Sequence, residues 1–345
     1  MSKPLAVCGL GMVSCLARGA KENAAAMRCG YSNFLPTEFY VDNTIEQQLG
    51  AVAVDCEFVG TDHLVEMAKS AVEQALKNAD STIREIPILV CFPTEIETPG
   101  TWHDKFYNTF FQQLQSQFTD IKLSNDSAFY RAGKIGIAKG LSQAQILLHD
   151  KMHHHVLLLC VDSLLNNYRI SLCENYNETR RLLSDENSDG FIPGEAAVAV
   201  LLSKPNGTAQ TCITGIGYGV EKAVVGSEEV LKAEGLTAAI RNAAKDADCR
   251  VCDTNFIISS VNGESYFFKE VSLARSKALE QKVASHPLWH PADSIGETGA
   301  AVGGAIIVMG HFAFEGKYAP GKRALCVVSN DDENRGAFIL ERLDG

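Results

Sequence analysis

The feature that most constrains this chain is an internal repeat. Two stretches with apolar residues at helical spacing, Leu64–Asp80 (LVEMAKSAVEQALKNAD) and Leu236–Asp248 (LTAAIRNAAKDAD), each contain an Ala-Asp pair at their end, Ala79 and Ala247 leading. Short apolar runs follow, Ile88–Phe92 (ILVCF) and Phe256–Val261 (FIISSV). Next come small-residue-rich helical stretches, Gly133–Leu148 and Gly299–Met309, and then Val156–Val161 (VLLLCV) and Ala324–Val328 (ALCVV). The positions 79 and 247, 88 and 256, and 156 and 324 share an offset of 168, and 133 and 299 one of 166. Four element pairs in one order at nearly one offset predict two copies of a helix-and-strand unit about a pseudo-twofold axis. Each half continues into one more apolar strand, Ala196–Leu202 and Gly336–Leu340. The turn-forming run Lys204-Pro205-Asn206-Gly207 marks the join, which gives halves of 1–205 and 206–345.

Fully apolar strands among helices point to an α/β architecture with sheets covered on both faces. With 345 residues, 46% hydrophobic and 21% charged, the chain buries a large core without staples. Two excursions in the first half, Pro93–Phe129 and Ser163–Asp189, have no counterparts of similar length in the second and are expected to build a cap or a dimer surface. Eleven cysteines are scattered, several in apolar runs, which reads as reduced thiols in a cytoplasmic protein. Cys249 and Cys252 form a CxxC without the second pair that a structural zinc needs, and read as ordinary thiols. Lys3 and the apolar stretch Leu5–Leu16 faintly resemble a signal peptide, but Gly9 and Gly11 favour a strand running into a glycine turn. No apolar run approaches the roughly 20 residues that span a bilayer. A net charge of −11 without a basic cluster argues against nucleic acid. Gly215-x-Gly217-x-Gly219 lacks dinucleotide-loop spacing and reads as the opening turn of the second half.

Several segments resemble the β-ketoacyl synthases, condensing enzymes of the thiolase superfamily. Leu5–Ser14 (LAVCGLGMVS) is similar to their opening strand, and Val156–Leu165 (VLLLCVDSLL) to the strand after their nucleophile helix. Ser188–Leu202 (SDGFIPGEAAVAVLL) is close to a family signature. With Phe256–Ser265, Asp293–Gly304 and Leu325–Asn330, the resemblance covers nearly the whole chain. It implies a thiolase-like five-layered αβαβα stack, in agreement with the repeat.

A condensing enzyme needs a cysteine thiolate at a helix N-terminus, two histidines for decarboxylation and backbone donors for an oxyanion. The resemblance puts the nucleophile at about Lys134 and the histidines at Asn262 and Glu297, so none of the three is present. The glycine-rich turn after the last strand is replaced by Asp331-Asp332-Glu333-Asn334. Condensation is therefore not expected. Cys160 is a substitute nucleophile to weigh, although a cysteine within Leu-Leu-Leu-Cys-Val is more often inert. Lys134, Asn262 and Glu297 form either a new acid-base site or a salt bridge filling a disused pocket. The run His153-His154-His155 and the pair His286 and His290 are weaker metal candidates, and no cofactor or metal is expected.

These residues predict a ketosynthase-like partner or acyl-binding scaffold in fatty-acid or polyketide-type synthesis, comparable to a chain-length factor. A homodimer, or a heterodimer with a ketosynthase, is expected through a strand edge, and an acyl carrier protein is a further candidate partner. Two alternatives stand beside this reading. One is an acyl-thioester transferase using Cys160, or a hydrolase or decarboxylase using Lys134 and Glu297; the other is a structural subunit of a larger assembly.

Overall fold

The structure is a computed structural model, and it describes residues 3–41, 45–56, 60–77, 83–94, 104–118, 121–175 and 180–344. The first half runs β1 (Leu5–Val13), α1 (Ala20–Arg28), β2 (Leu35–Tyr40), β3 (Gln47–Gly50), α2 (Gly60–Leu76), β4 (Glu85–Ile86), β5 (Ile88–Phe92), α3 (Asp104–Ser116), β6 (Lys122–Leu123), β7 (Ala128–Arg131), α4 (Gly136–Gln145), β8 (His155–Ser163), α5 (Asn167–Glu174) and β9 (Glu195–Ser203). The second runs β10 (Gln210–Val220), α6 (Glu234–Asp246), β11 (Phe256–Ser259), α7 (Ser265–Ala278), β12 (Leu288–Trp289), α8 (Ala292–Ile295), α9 (Val302–Glu315), β13 (Arg323–Ser329) and β14 (Asn334–Leu343).

The main sheet carries the repeat in its strand order, β12-β11-β13-β14-β10-β1-β9-β8-β5-β7. Read outward from the centre, β1, β9, β8, β5 and β7 match β10, β14, β13, β11 and β12. The halves meet where β1 and β10 pair antiparallel, Leu5 opposite Ile213. The connection between β9 and β10 holds residues 205 and 206, and we propose the boundary between the repeats there. Ala79 and Asp80, which helped set the repeat offset, lie outside the described residues.

Three apolar clusters separate the layers. The central one places α4 and α9 between the two half-sheets, through Ile137, Leu141, Ile306 and Ile307. A second seats α2 and α3 on the outer face of the first half-sheet, through Ala71, Val72, Phe110 and Leu114. A third seats α6 and α7 on the second, through Ile240, Ala243, Phe267 and Val271. Helix, sheet, helix, sheet, helix is the αβαβα stack. Apart from the end residues His155, Ser163 and Arg323, every residue of β8 and β13 is buried, because both faces of each strand are covered.

The glycines expected to open turns do something else. β1 runs unbroken through Gly9 and Gly11, where a Cβ would lie 2.0 and 1.9 Å from the carbonyl oxygens of Ala75 and Ala71 on α2. Gly217, within β10 rather than in a turn, would meet Ala239 of α6 at 2.2 Å. In each half, glycine lets the outer helix lie directly on the strand backbone.

Candidate functional site

Described residues of the excursion 163–189, Leu164, Arg169, Leu172, Cys173 and Arg181 among them, line one wall of a cleft. A 3-10 turn, Gly133–Ile135, leads into α4, and Gly133 sits at φ 58°, in the left-handed region that suits glycine. Lys134 follows. Its ammonium passes 4.8 Å over the Phe267 ring and ends 2.5 Å from Glu297 Oε2.

Glu297 is held at its backbone as well as at its carboxylate. Its N–H donates to Ile192 at 2.8 Å, and its carbonyl accepts from Gly194 at 2.9 Å. Its Oε1 accepts from the Gly299 N–H at 2.8 Å, and its Oε2 also accepts from Asn262 Nδ2 at 2.9 Å. The same Asn262 amide reaches Glu264 Oε2 at 2.9 Å. Arg181 then grips Glu264 with two bonds of 2.7 Å, and Asp331 with bonds of 2.7 and 3.1 Å. A continuous chain of charge-assisted bonds thus joins Lys134, Glu297, Asn262, Glu264, Arg181 and Asp331. All are buried except Asp331, which is partly exposed. The three positions singled out in the sequence, Lys134, Asn262 and Glu297, are brought together here.

The electrostatics follow from this pairing. Burial works against the Lys134 charge, but the Glu297 and Asp331 carboxylates outweigh it and hold the pKa above the ordinary lysine value. Burial likewise opposes the Asp331 carboxylate, yet Arg181 and Lys134 keep its pKa well below the carboxylate range. Lys134, Arg181, Glu297 and Asp331 border a cleft of about 390 Å³, part of it open to solvent, whose apolar wall includes Leu164, Leu172 and Phe191. Cys173 also lines it, but burial pushes that thiol up to about 12. A thiol so placed is a poor nucleophile.

The Ile135 and Ala300 N–H groups at the helix starts are taken as well. Asn330 Oδ1 accepts from the Ile135 N–H at 3.0 Å, and Asp162 Oδ2 from the Ala300 N–H at 2.9 Å. Asp162 in turn faces Arg169 at 3.3 Å.

The remaining candidates lie elsewhere. Cys160 is wholly buried in the central core, in register with Cys91 on the neighbouring strand, and does not line the cleft. The Cys160 thiol, together with burial, pushes Cys91 well above its usual value. His153 bonds Asp126 at 2.8 Å near the start of β8. His286 is buried, accepts from Arg275 Nε at 3.2 Å and bonds the Thr254 hydroxyl at 2.9 Å. Among the described residues, no cluster of three or more His, Cys, Asp or Glu is placed to hold a metal ion. No described helix is long and apolar enough to cross a membrane.

No family model matches this chain, and no curated protein matches it by sequence. Solved structures match it in fold over nearly its full length. One is a chain of the complex of a type II polyketide synthase acyl-carrier protein with its ketosynthase bound to the hexaketide. It is 15% identical, with a TM-score of 0.79 over 99% of this chain and 100% of that one. The oxazolomycin ketosynthase domain KS7 of Streptomyces albus JA3453 is 13% identical, with a TM-score of 0.78 over 100% of this chain and 75% of that one. The ishigamide ketosynthase/chain length factor is 15% identical, with a TM-score of 0.76 over 99% of this chain and 100% of that one. The fold is the thiolase-like fold of the ketosynthases.

Proposed function

We propose that this protein is a non-condensing ketosynthase-like subunit that serves as a partner or acyl-binding scaffold beside a ketosynthase in fatty-acid or polyketide-type synthesis. The observation that carries the reading is the state of the site. The position expected for the nucleophile is a lysine paired to a carboxylate at 2.5 Å, and the N–H groups of Ile135, Gly299 and Ala300 are already accepted by side chains of the same chain. An acyl thioester meets neither a thiolate nor, at these positions, a free donor for its oxyanion. A fold shared with a ketosynthase/chain length factor agrees with this reading.

The enzyme alternatives find less support. Lys134, with its pKa held up, stays an ammonium near neutrality and does not act as a base. Cys160 has no exposed surface from which to attack a thioester.

The partner pairs along β7, the outermost strand of the first half, whose four residues are all half-buried. Light scattering on the chain alone and mixed with the ketosynthase of its own host tests the proposal. A one-to-one complex is expected. A chain that binds neither that ketosynthase, nor an acyl carrier protein, nor a second copy of itself overturns it.

A further inference from the structure

We infer that Lys134, Asn262 and the start of the α9 segment form a carboxylate-binding site that the chain's own Glu297 occupies, so that the site accepts a free small carboxylate only when that side chain is removed. Three donors converge on one carboxylate: the Lys134 ammonium at 2.5 Å, the Asn262 amide at 2.9 Å and the Gly299 N–H at 2.8 Å. An ammonium, an amide and a backbone N–H fixed around two oxygens are the groups that recognise a bound carboxylate. Here the carboxylate arrives on a tether.

The tether is rigid. Gly296, at φ 66°, turns the chain so that Glu297 is bridged to Pro193, and hydrogen bonds to Ile192 and Gly194 fix its backbone on both sides. The occupant therefore has no backbone route out. The cleft beside it reaches solvent, so a small anion has a way in once the side chain is shortened. In the intact protein an anionic ligand such as a malonyl group meets a site already filled. This inference is independent of any partner: failure to bind a ketosynthase leaves it standing.

The test is chemical rescue of Glu297→Ala by sodium formate, read by thermal unfolding of the full chain. Loss of the buried partner lowers the unfolding midpoint by roughly 6–10 °C. Formate at about 100 mM is expected to recover roughly half of that loss, while equimolar sodium chloride recovers little. The wild type, and Glu297→Gln, whose amide fills the same volume, are expected to shift equally in formate and chloride. Equal rescue by both salts, or equal formate stabilisation of the wild type, overturns the inference. So does Glu297→Ala protein that refolds in neither salt. Recovery of folded Glu297→Ala only in formate supports it.

Discussion

The two inner helices begin alike and differ in charge. Each follows a 3-10 turn opened by a glycine in the left-handed region, Gly133 at φ 58° before α4 and Gly299 at φ 52° before α9. Each takes a capping acceptor from the other half: Asn330, just past β13, caps the α4 start, and Asp162, on β8, caps the α9 start. Asp162 and Asn330 stand 168 positions apart, so the exchange follows the repeat. The α9 start gathers two carboxylates, Asp162 and Glu297, where the positive end of the helix dipole favours them. The α4 start has a neutral cap and carries the cation Lys134, which the dipole disfavours. Glu297 compensates that cation across the interface between the halves. The difference in charge pairs the two helix starts at the cleft, through Lys134 and Glu297.

The largest expected effect comes from breaking that compensation. Lys134→Met leaves Glu297 buried without its cation and is predicted to cost about 3–5 kcal/mol in urea unfolding. The double variant Lys134→Met/Glu297→Gln removes both charges, keeps an acceptor for Gly299, and should regain most of the loss. If the double variant is as unstable as the single one, charge compensation is not what joins the halves.

Cap removal asks whether the charged start matters more than the neutral one. Asp162→Ala, which takes the acceptor from Ala300 and a partner from Arg169, is expected to cost about 2–3 kcal/mol. Asn330→Ala, which loses a neutral cap, is expected to cost about 1–2 kcal/mol in the same measurement. Equal costs would erase the difference drawn between the two helices.

A smaller effect, away from both helix starts, serves as a control. Burial, and then the nearby Arg275 charge, lower the His286 pKa to about 4 from an ordinary 6.5. The unfolded chain therefore takes up the proton first as pH falls. The stability contributed by neutral His286 is present above about pH 6.5 and lost as pH falls toward 4, a change on the order of 1 kcal/mol. Urea midpoints at pH 7.5 and 4.5 should converge in His286→Gln relative to wild type. An unchanged pH dependence assigns the acid sensitivity to other groups.

The architecture was legible because the repeat writes itself into hydrophobic pattern and spacing. The glycines of β1 and β10 lie within strands and not in the expected turns, since a glycine demanded by a helix lying on a strand looks, in sequence, like one demanded by a turn. Lys134, Asn262 and Glu297 were located by resemblance rather than by pattern. Arg181 carries no signal in the sequence, because its partners Glu264 and Asp331 lie 83 and 150 residues away and it sits in an excursion without a counterpart in the second half. In sequence, Asp331 is only one residue of an acidic loop. Long-range ion pairs leave no periodic trace, so folding has to bring them together before they can be recognised.

The central claim is that the site is filled from within and forms no covalent bond to an acyl group. Intact-protein mass spectrometry after exposure to acyl and malonyl thioesters tests it most directly. The account predicts an unmodified chain and no thioester turnover, whereas a stable acyl adduct mapped to Lys134 or Cys160 would contradict it.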